Sequence, residues 1–204
     1  NLSMIEFHKV NFSFEGSKIL NDMSFKVEEN DNFSISGASG SGKTSVLMLI
    51  TGFLIPGSGH IKIMGEILND KNSASIRKEM SWLPQNPTVI GKGNVQELIF
   101  DRLAFSGKNY GLDIIRENFA KLYLPEKLLA SNFEQLSGGE KQRIGMIITK
   151  LLDRSIVLLD EPTSALDGVS KEIAAEYLLT PTQTIVSVSH DKEWNEMMNN
   201  SVKL

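Results

Sequence analysis

The chain has 204 residues, of which 41% are hydrophobic and 23% are charged, with a net charge of −4 and no cysteine. This composition excludes global disorder, disulfides, cysteine-ligated metals and a cysteine nucleophile, and it argues against nonspecific binding to nucleic acid or anionic lipid. No apolar run reaches the ~18–20 residues that span a bilayer, and residues 1–4 lack the pattern of a signal peptide. We therefore expect a cytoplasmic protein whose membrane contact, if any, comes through a partner.

The first part of the chain alternates short apolar strands with turns. Val10, Phe12 and Phe14 alternate with polar residues, which is typical of a half-buried strand. Further strands are predicted at residues 19–27, 33–36, 60–64 and 80–83. A turn at 28–31 contains Asn30, which tolerates positive φ. A helix is predicted at 44–52, ending at a glycine.

The second part changes character twice. Residues 92–136 show helical spacing, as in Ile114, Ile115, Phe119 and Leu122, and predict a small helical insertion. The strand and helix alternation then returns, with helices at 138–152, 169–179 and 191–198 and strands at 156–159 and 184–188. Such alternation with apolar strands predicts an α/β fold around a parallel sheet, beside a small antiparallel β portion. We expect one domain over 1–204, with a catalytic core at about 1–91 and 137–204 and a helical subdomain at about 92–136.

A glycine-rich loop predicts a phosphate site. Residues 37–44 fit the pattern G-x-x-x-x-G-K-[ST] and lie between a predicted strand and a predicted helix. Glycines let backbone N–H groups converge on phosphate oxygens, and the helix N-terminus favours an anion. Lys43 is expected to reach the β- and γ-phosphates, and the Thr44 hydroxyl to bind Mg²⁺. The expected nucleotide-binding residues here are Gly37, Ala38, Ser39, Gly40, Ser41, Gly42, Lys43, Thr44 and Ser45.

A second element places two carboxylates after an apolar strand. Residues 155–159 read Ser-Ile-Val-Leu-Leu and are followed by Asp160 and Glu161. Open α/β sheets bind ligands at the carboxyl edge, where these side chains are expected to lie. Asp160 would hold Mg²⁺, and Glu161 would orient and deprotonate an attacking water. An ordinary acidic turn could have the same short sequence. The phosphate loop upstream favours the catalytic interpretation, because chemistry on Mg²⁺-bound ATP needs such a carboxylate.

A third motif carries a family resemblance that covers essentially the whole chain. Residues 136–143 read Leu-Ser-Gly-Gly-Glu-Lys-Gln-Arg, which resembles the signature motif of the ABC ATPases. Gln85 matches the glutamine of that family's Q-loop, and Asp167 ends a segment similar to its D-loop. His190 matches the switch histidine, and Phe14 stands where an aromatic residue stacks on adenine.

The resemblance implies a shared active site. ABC ATPases work as head-to-tail pairs with two ATP molecules between them, so a homodimer is expected. Ser137, Gly138 and Gly139 would contact the γ-phosphate held by the partner, and Asp167 would signal across the interface. His190 would bind the γ-phosphate and the lytic water. Gln85 would sense Mg²⁺ and link the site to a separate membrane permease, which would hold the protein at the cytoplasmic face of the cell membrane.

Simpler interpretations remain beside these roles. Ser137 would also cap a helix, with Glu140 completing a capping box. His8 and His60 are interpreted as structural, and Phe14 has a plain core position as its alternative. Trp194, Met197 and Met198 form a stripe that we interpret as core.

The type of ABC protein is indicated by weaker features. The segments after Gln85 and before Leu136 resemble the two-gene bacterial exporters linked to iron or metal efflux. The alternative is a soluble ABC ATPase that acts on nucleic acid or ribosomes, which the acidic balance and the short insertion disfavour. Ile148 stands where the signature helix of the family usually carries an arginine, so a salt bridge in the core is not expected here.

Overall fold

The computed structural model describes residues 3–204. Residues 1 and 2, part of the segment in which no signal peptide is expected, lie outside the described residues. The strands are β1 (Ser3–Phe14), β2 (Ser17–Glu28), β3 (Asn32–Ser36), β4 (Ser58–Ile63), β5 (Glu66–Ile67), β6 (Met80–Leu83), β7 (Ile156–Asp160), β8 (Thr184–Ser189) and β9 (Asn200–Lys203). The helices are α1 (Lys43–Ile50), α2 (Ser73–Arg77), α3 (Val95–Phe105), α4 (Leu112–Lys121), α5 (Gly138–Leu151), α6 (Gly168–Leu178) and α7 (Lys192–Glu196).

The strands form two sheets of different kinds. One sheet is antiparallel in the order β2-β1-β4-β5, and the other has the order β6-β7-β8-β3-β9 with every neighbouring pair parallel. The predicted α/β class, with a parallel sheet and a small antiparallel portion, is confirmed. Strand β7 shows why the parallel sheet needs cover on both faces, since all of its residues are buried.

Two apolar clusters enclose the parallel sheet. Val157 and Leu159 pack into a cluster with the helices α3 to α6, whereas Ile156 and Leu158 pack into a cluster with α1 and the antiparallel sheet. Successive residues of a strand point to opposite faces, which explains the division. The segment 92–136 contributes α3, α4 and short 3₁₀ turns to the first cluster. Ile148 is buried in that cluster, as expected for an apolar residue in place of arginine.

Several expectations needed correction. Met197 is 40% exposed, so it does not belong to the core stripe predicted for it with Trp194 and Met198. Helix α7 is shorter than predicted because it ends at Glu196. Strands β5 and β9 and helix α2 were not predicted. Strand β9 has one apolar residue, Val202, and it is recognisable only through its pairing with β3.

Asn30 adopts φ of 63°, as its place in the predicted turn requires. The two histidines interpreted as structural, His8 and His60, are opposite each other on β1 and β4, with ring centroids 4.9 Å apart. No described helix, from Ser3 onward, is long and apolar enough to cross a membrane.

Candidate functional site

Four parallel strands end at one edge of the sheet and bring the predicted motifs together. Strand β3 leads into the glycine-rich loop, β7 ends at Asp160, and β8 is followed by His190. Strand β6 precedes Gln85 on the same side, since β6 pairs in parallel with β7. Loops after parallel strands of one sheet converge at its carboxyl edge, which is where open α/β folds bind ligands.

The backbone of the glycine-rich loop is shaped for close approach. Gly42, the residue before α1, has φ of 94°, and a Cβ there would lie 2.1 Å from Ile19 Cγ2. Only glycine fits this conformation and this contact. The Ser41 Oγ atom is shielded from solvent and has no hydrogen-bond partner within residues 3–204. A buried hydroxyl costs free energy when unpaired, so it suits a ligand that brings an acceptor, such as a phosphate oxygen.

Lys43 is buried and lies back along the loop. Its Nζ donates to the carbonyl oxygens of Gly37 at 3.0 Å and Ala38 at 2.9 Å, and it lies 3.5 Å from Glu161 Oε1. The ammonium group therefore sits at the loop that would cradle the phosphates, with a carboxylate as its counter-ion. An anionic ligand bound in the loop would offer this ammonium group oxygen atoms that carry more negative charge than the two carbonyl oxygens.

Thr44 and Asp160 form the pair of hard oxygen donors expected at a magnesium site. The Thr44 hydroxyl lies 3.2 Å from both carboxylate oxygens of Asp160. Burial raises the pKa of Asp160 to about 6, and the charge of Glu161 adds to this, while the Thr44 hydrogen bond and Lys43 oppose it. A bound cation would offset the cost of this buried charge, and a hydroxyl with one carboxylate fits Mg²⁺, which keeps several waters and phosphate oxygens as ligands. Within residues 3–204, this site included, no three acidic or histidine side chains gather into a metal cluster, so most ligands would come from water and phosphate.

Glu161 links the two loops at the centre of the site. It is buried, with φ of 47°, a conformation that non-glycine residues adopt only when surrounding contacts hold them. Its Oε2 accepts from His190 Nδ1 at 2.9 Å, from the His190 amide at 3.2 Å and from Ser189 Oγ at 3.2 Å. Because an ionised carboxylate only accepts, Nδ1 carries the hydrogen and Nε2 of the exposed imidazole is free to bind another group.

A cleft of about 290 Å³ lies between these elements and the antiparallel sheet. Phe14 lines it and is 54% exposed, so the plain core position considered for this residue is wrong. The described residues that line this cleft are Phe14, Ile19, Ser39, Gly40, Gly42, Lys43, Thr44, Ser45, Gln85 and Glu161. The cleft thus joins an exposed aromatic ring to the phosphate loop and to the buried carboxylate.

The signature residues lie outside this cleft. Within the described chain Ser137, Gly138, Gly139 and Asp167 are absent from its lining. The predicted capping box is confirmed, because Ser137 Oγ accepts from the Glu140 amide and Glu140 Oε2 accepts from the Ser137 amide at 2.8 Å. A Cβ on Gly139 would lie 3.1 Å from the carbonyl oxygen of Ala165, so this helix start packs against the segment before Asp167. Asp167 caps α6 through the Ser170 amide.

Sequence reasoning missed the polar residues that support this centre. Ser189 and Thr163 are buried and hydrogen-bonded near Glu161 and Asp191, and Gln142 of α5 donates to the carbonyl oxygen of Pro162 at 3.2 Å. Ser189 ends β8 and Thr163 lies in the turn after Glu161, with no distinct pattern of their own, while Gln142 lies inside the signature motif but was given no role there. Only their proximity to Glu161 in the fold marks them.

Comparison with known proteins agrees with this geometry. The family profile described as ABC transporter matches residues 20–164. The chain is 30% identical over 201 residues to the probable iron export ATP-binding protein FetA of Escherichia coli, which covers 95% of this chain and 87% of that protein. It is 35% identical over 202 residues to a probable ABC transporter ATP-binding/permease protein of Haemophilus influenzae, which covers 93% of this chain and 36% of that protein.

Solved structures show the same fold. The dimeric structure of MJ0796, a bacterial ABC transporter cassette, superposes with a TM-score of 0.85 at 25% identity, over 98% of this chain and 94% of that one. The chain spans only 29% to 47% of the length of three of the relatives that it matches, the Haemophilus influenzae protein among them. The family match covers well over half of the chain, and the resemblance inferred from the motifs is confirmed. The chain therefore belongs to the ABC transporter family, as one of its ATP-binding ATPase cassettes.

Proposed function

We propose that the chain is the ATP-binding subunit of a transporter and hydrolyses Mg²⁺-bound ATP to ADP and phosphate in order to drive a separate membrane permease. One observation carries the proposal: Glu161 lies between Lys43 of the phosphate loop and His190 at the carboxyl edge of the sheet. A carboxylate in contact with a phosphate-binding ammonium and with a histidine is placed to act on a water beside a terminal phosphate.

The cleft supports a definite orientation of the nucleotide. Phe14 would stack on the adenine, the loop from Gly37 to Ser45 would enclose the phosphates, and Lys43 would bind the β- and γ-phosphates. Thr44 and Asp160 would hold Mg²⁺, with Gln85 from the neighbouring loop completing the set. When bound, the metal would neutralise developing charge on the phosphate oxygens.

The chain's own side chains would accept the proton of the attacking water and stabilise the charge of the transferring phosphoryl group. Glu161 accepts a proton from the attacking water as the new oxygen–phosphorus bond forms and the bond to the ADP oxygen breaks. Lys43 and His190 stabilise the negative charge of the transferring phosphoryl group by positions that are already set before reaction. Lys43 would exchange its loop carbonyl contacts for phosphate oxygens when the nucleotide binds, before the reaction begins.

A second copy of the chain would complete each site. Ser137, Gly138 and Gly139 start α5 outside the subunit's own cleft, and a helix N-terminus favours an anion. In a head-to-tail homodimer these residues would contact the γ-phosphate bound by the partner, with Asp167 at the interface. The Ser137 hydroxyl, 2.8 Å from Glu140 Oε2 in the single chain, would rotate to make that contact.

A separate permease would bind the groove beside Gln85. Trp82, Ile90 and Arg102 line this groove, and Val89 and Phe105 are 63% and 94% exposed. Exposed apolar side chains around an arginine suit an amphipathic helix that carries a carboxylate. Membrane contact through this permease would place the protein at the cytoplasmic face of the cell membrane. The similarity to FetA supports a metal ion, iron among them, as the exported cargo.

Tagged Glu161→Gln protein, expressed in its native cell, tests the whole proposal. This variant should bind ATP, accumulate as a dimer and lose at least ~10²-fold in turnover, the scale of one catalytic base. Purification with Mg²⁺-ATP from the membrane fraction should recover a polytopic membrane protein in near-equal amount. Cells that lack this partner should accumulate iron or another metal.

Two results would contradict different parts of the proposal. Turnover equal to that of the wild type would exclude Glu161 as the base. Recovery from the soluble fraction with ribosomes or DNA would leave the ATPase chemistry intact and refute the transporter assignment.

A further inference from the structure

Asp191, the residue after His190, collects hydrogen bonds from three separate parts of the chain. Its carboxylate accepts from Lys171 Nζ of α6 at 2.6 Å and from Thr163 Oγ1 at 3.0 Å. It also accepts from the backbone amides of Glu193 and Trp194, which start α7. Four donors on one side chain, only 13% exposed, mark a built junction rather than an incidental surface pair.

The junction continues to the proposed catalytic base. The Asp191 amide donates to Ser189 Oγ at 3.0 Å, and this hydroxyl donates to Glu161 Oε2 at 3.2 Å. Thr163, whose hydroxyl donates to the Asp191 carboxylate, lies two residues after Glu161 and is buried. Asp191 therefore ties the segment after Glu161 to the segment that carries His190, on both sides of the Glu161–His190 contact.

Lys171 connects this junction with the surface that a second subunit would cover. It lies on the first turns of α6, the helix whose N-cap is Asp167. A movement of Asp167 on docking would move the start of α6, and the short ion pair would carry that movement to Asp191 and to the neighbouring His190. Among the hydrogen bonds and ion pairs of residues 3–204, this ion pair is the one that joins a side chain of α6 directly to the segment that carries His190.

From this geometry we propose that Lys171 and Asp191 are positioning residues, whose ion pair transmits dimer contact at Asp167 to His190 and so couples docking to hydrolysis. The inference rests on the proposed roles of Glu161 and His190. Among the described residues that line the cleft, neither Lys171 nor Asp191 appears, so both would act through the placement of His190. Loss of the pair would leave His190 attached to Glu161 but independent of α6.

ATP turnover and ATP-induced dimerisation of matched variants test the inference. Lys171→Met and Asp191→Asn should each lower kcat about tenfold, a change of about 1.4 kcal/mol in the barrier. The Asn side chain keeps an oxygen for capping α7, but it loses the oxygen that accepts from both Lys171 and Thr163, so Lys171→Met is the variant that removes the ion pair alone. The double variant should fall no further than either single one, since coupled residues are not additive. Lys171→Arg should recover most of the activity.

A second ion pair provides a control in which the lysine is equally exposed and the aspartate, at 68%, is more exposed than Asp191. Lys108 lies 3.0 Å from Asp153 and its side chain is 28% exposed, against 27% for Lys171. Lys108→Met should keep wild-type kcat. In a Glu161→Gln background, Lys171→Met should leave the ATP affinity and the yield of ATP-bound dimer unchanged. A structural defect would lower both.

The possible failures can be told apart. Wild-type kcat in Lys171→Met, with Glu161→Gln inactive, would overturn the coupling role alone. Parallel losses of kcat, ATP affinity and dimer yield would also overturn it, in favour of a structural role. Full activity of Glu161→Gln would instead refute the proposed function, and this inference with it.

Discussion

One oxygen atom of Glu161 holds His190 by both its ring and its backbone. Glu161 Oε2 lies 2.9 Å from His190 Nδ1 and 3.2 Å from the His190 amide nitrogen. The orientation of the imidazole is thereby set by the carboxylate, while the ring itself remains 64% exposed toward solvent. The proposed base and the histidine consequently form one unit rather than two independent groups.

This unit predicts non-additive kinetics. His190→Ala should lower turnover about 100-fold, the scale of losing one preorganised charge-stabilising group. Combining it with Glu161→Gln should add little, because each change already disables the shared geometry. Steady-state ATP hydrolysis of the three variants measures this directly. Multiplied losses in the double variant would show that the two residues act separately.

We expect the Asp160 carboxylate to lower the stability of the nucleotide-free protein and to provide a ligand for Mg²⁺. The residue is 4% exposed, and burial raises the pKa of its carboxyl to about 6, so its charge is costly in the nucleotide-free protein. With EDTA at neutral pH, Asp160→Asn should match or exceed the wild type in free energy of unfolding. Its affinity for ATP should no longer increase when Mg²⁺ is added. A large loss of stability by urea denaturation would assign the carboxylate a structural role instead.

Phe14 should contribute to nucleotide affinity through its ring alone. Stacking of a base on an aromatic side chain contributes about 1–3 kcal/mol, so Phe14→Ala should weaken ATP binding by roughly tenfold. Phe14→Tyr should bind as the wild type does, because the ring is kept. Equilibrium titration with ATP compares them, and equal affinities in all three proteins would place the adenine elsewhere.

Phe105 should determine permease binding. It is 94% exposed at the groove proposed for the permease helix, and an aspartate there would bring a charge into an apolar contact. Phe105→Asp should reduce recovery of the membrane partner in the Glu161→Gln purification. Tyr123, which is 72% exposed at a different cleft, supplies the control Tyr123→Asp. Equal losses of partner from both variants would argue against this groove.

The contribution of Asp191 to stability should depend on pH in a defined direction. Burial raises its pKa, but hydrogen bonds from Lys171, Thr163 and the Trp194 amide outweigh burial, and the pKa lies below its ordinary value. Such a group stabilises the fold above the unfolded pKa of about 3.9 and loses this effect as pH falls through the folded value. Glu193, on the same short helix, is the nearby like charge and favours the Lys171 cation.

Urea denaturation at several pH values checks this dependence. The difference in unfolding free energy between the wild type and Asp191→Asn should stay constant from about pH 7 to pH 5 and shrink below about pH 4. A difference that is unchanged at acid pH would mean that the carboxylate charge is not what stabilises the junction.

Much of the site could be predicted because its chemistry is local in sequence. The phosphate loop, the signature helix start and the strand that ends at Asp160 are each contiguous, and each uses backbone groups whose spacing the sequence displays. The capping box of Ser137 and Glu140 and the positive φ of Asn30 were predictable for the same reason. The division into a core and a helical subdomain stays a prediction.

The sequence by itself determined which chemical groups are present and that strands would deliver them to one sheet edge. Only the tertiary structure decided which groups touch: Thr44 with Asp160, 116 positions away, Glu161 with His190, and Lys171 with Asp191. It likewise decided that Met197 is exposed and that residues 200–203 form a strand. The reason is physical, since periodicity records only neighbours along the chain. The order of parallel strands is set by hydrogen bonding and burial between distant segments.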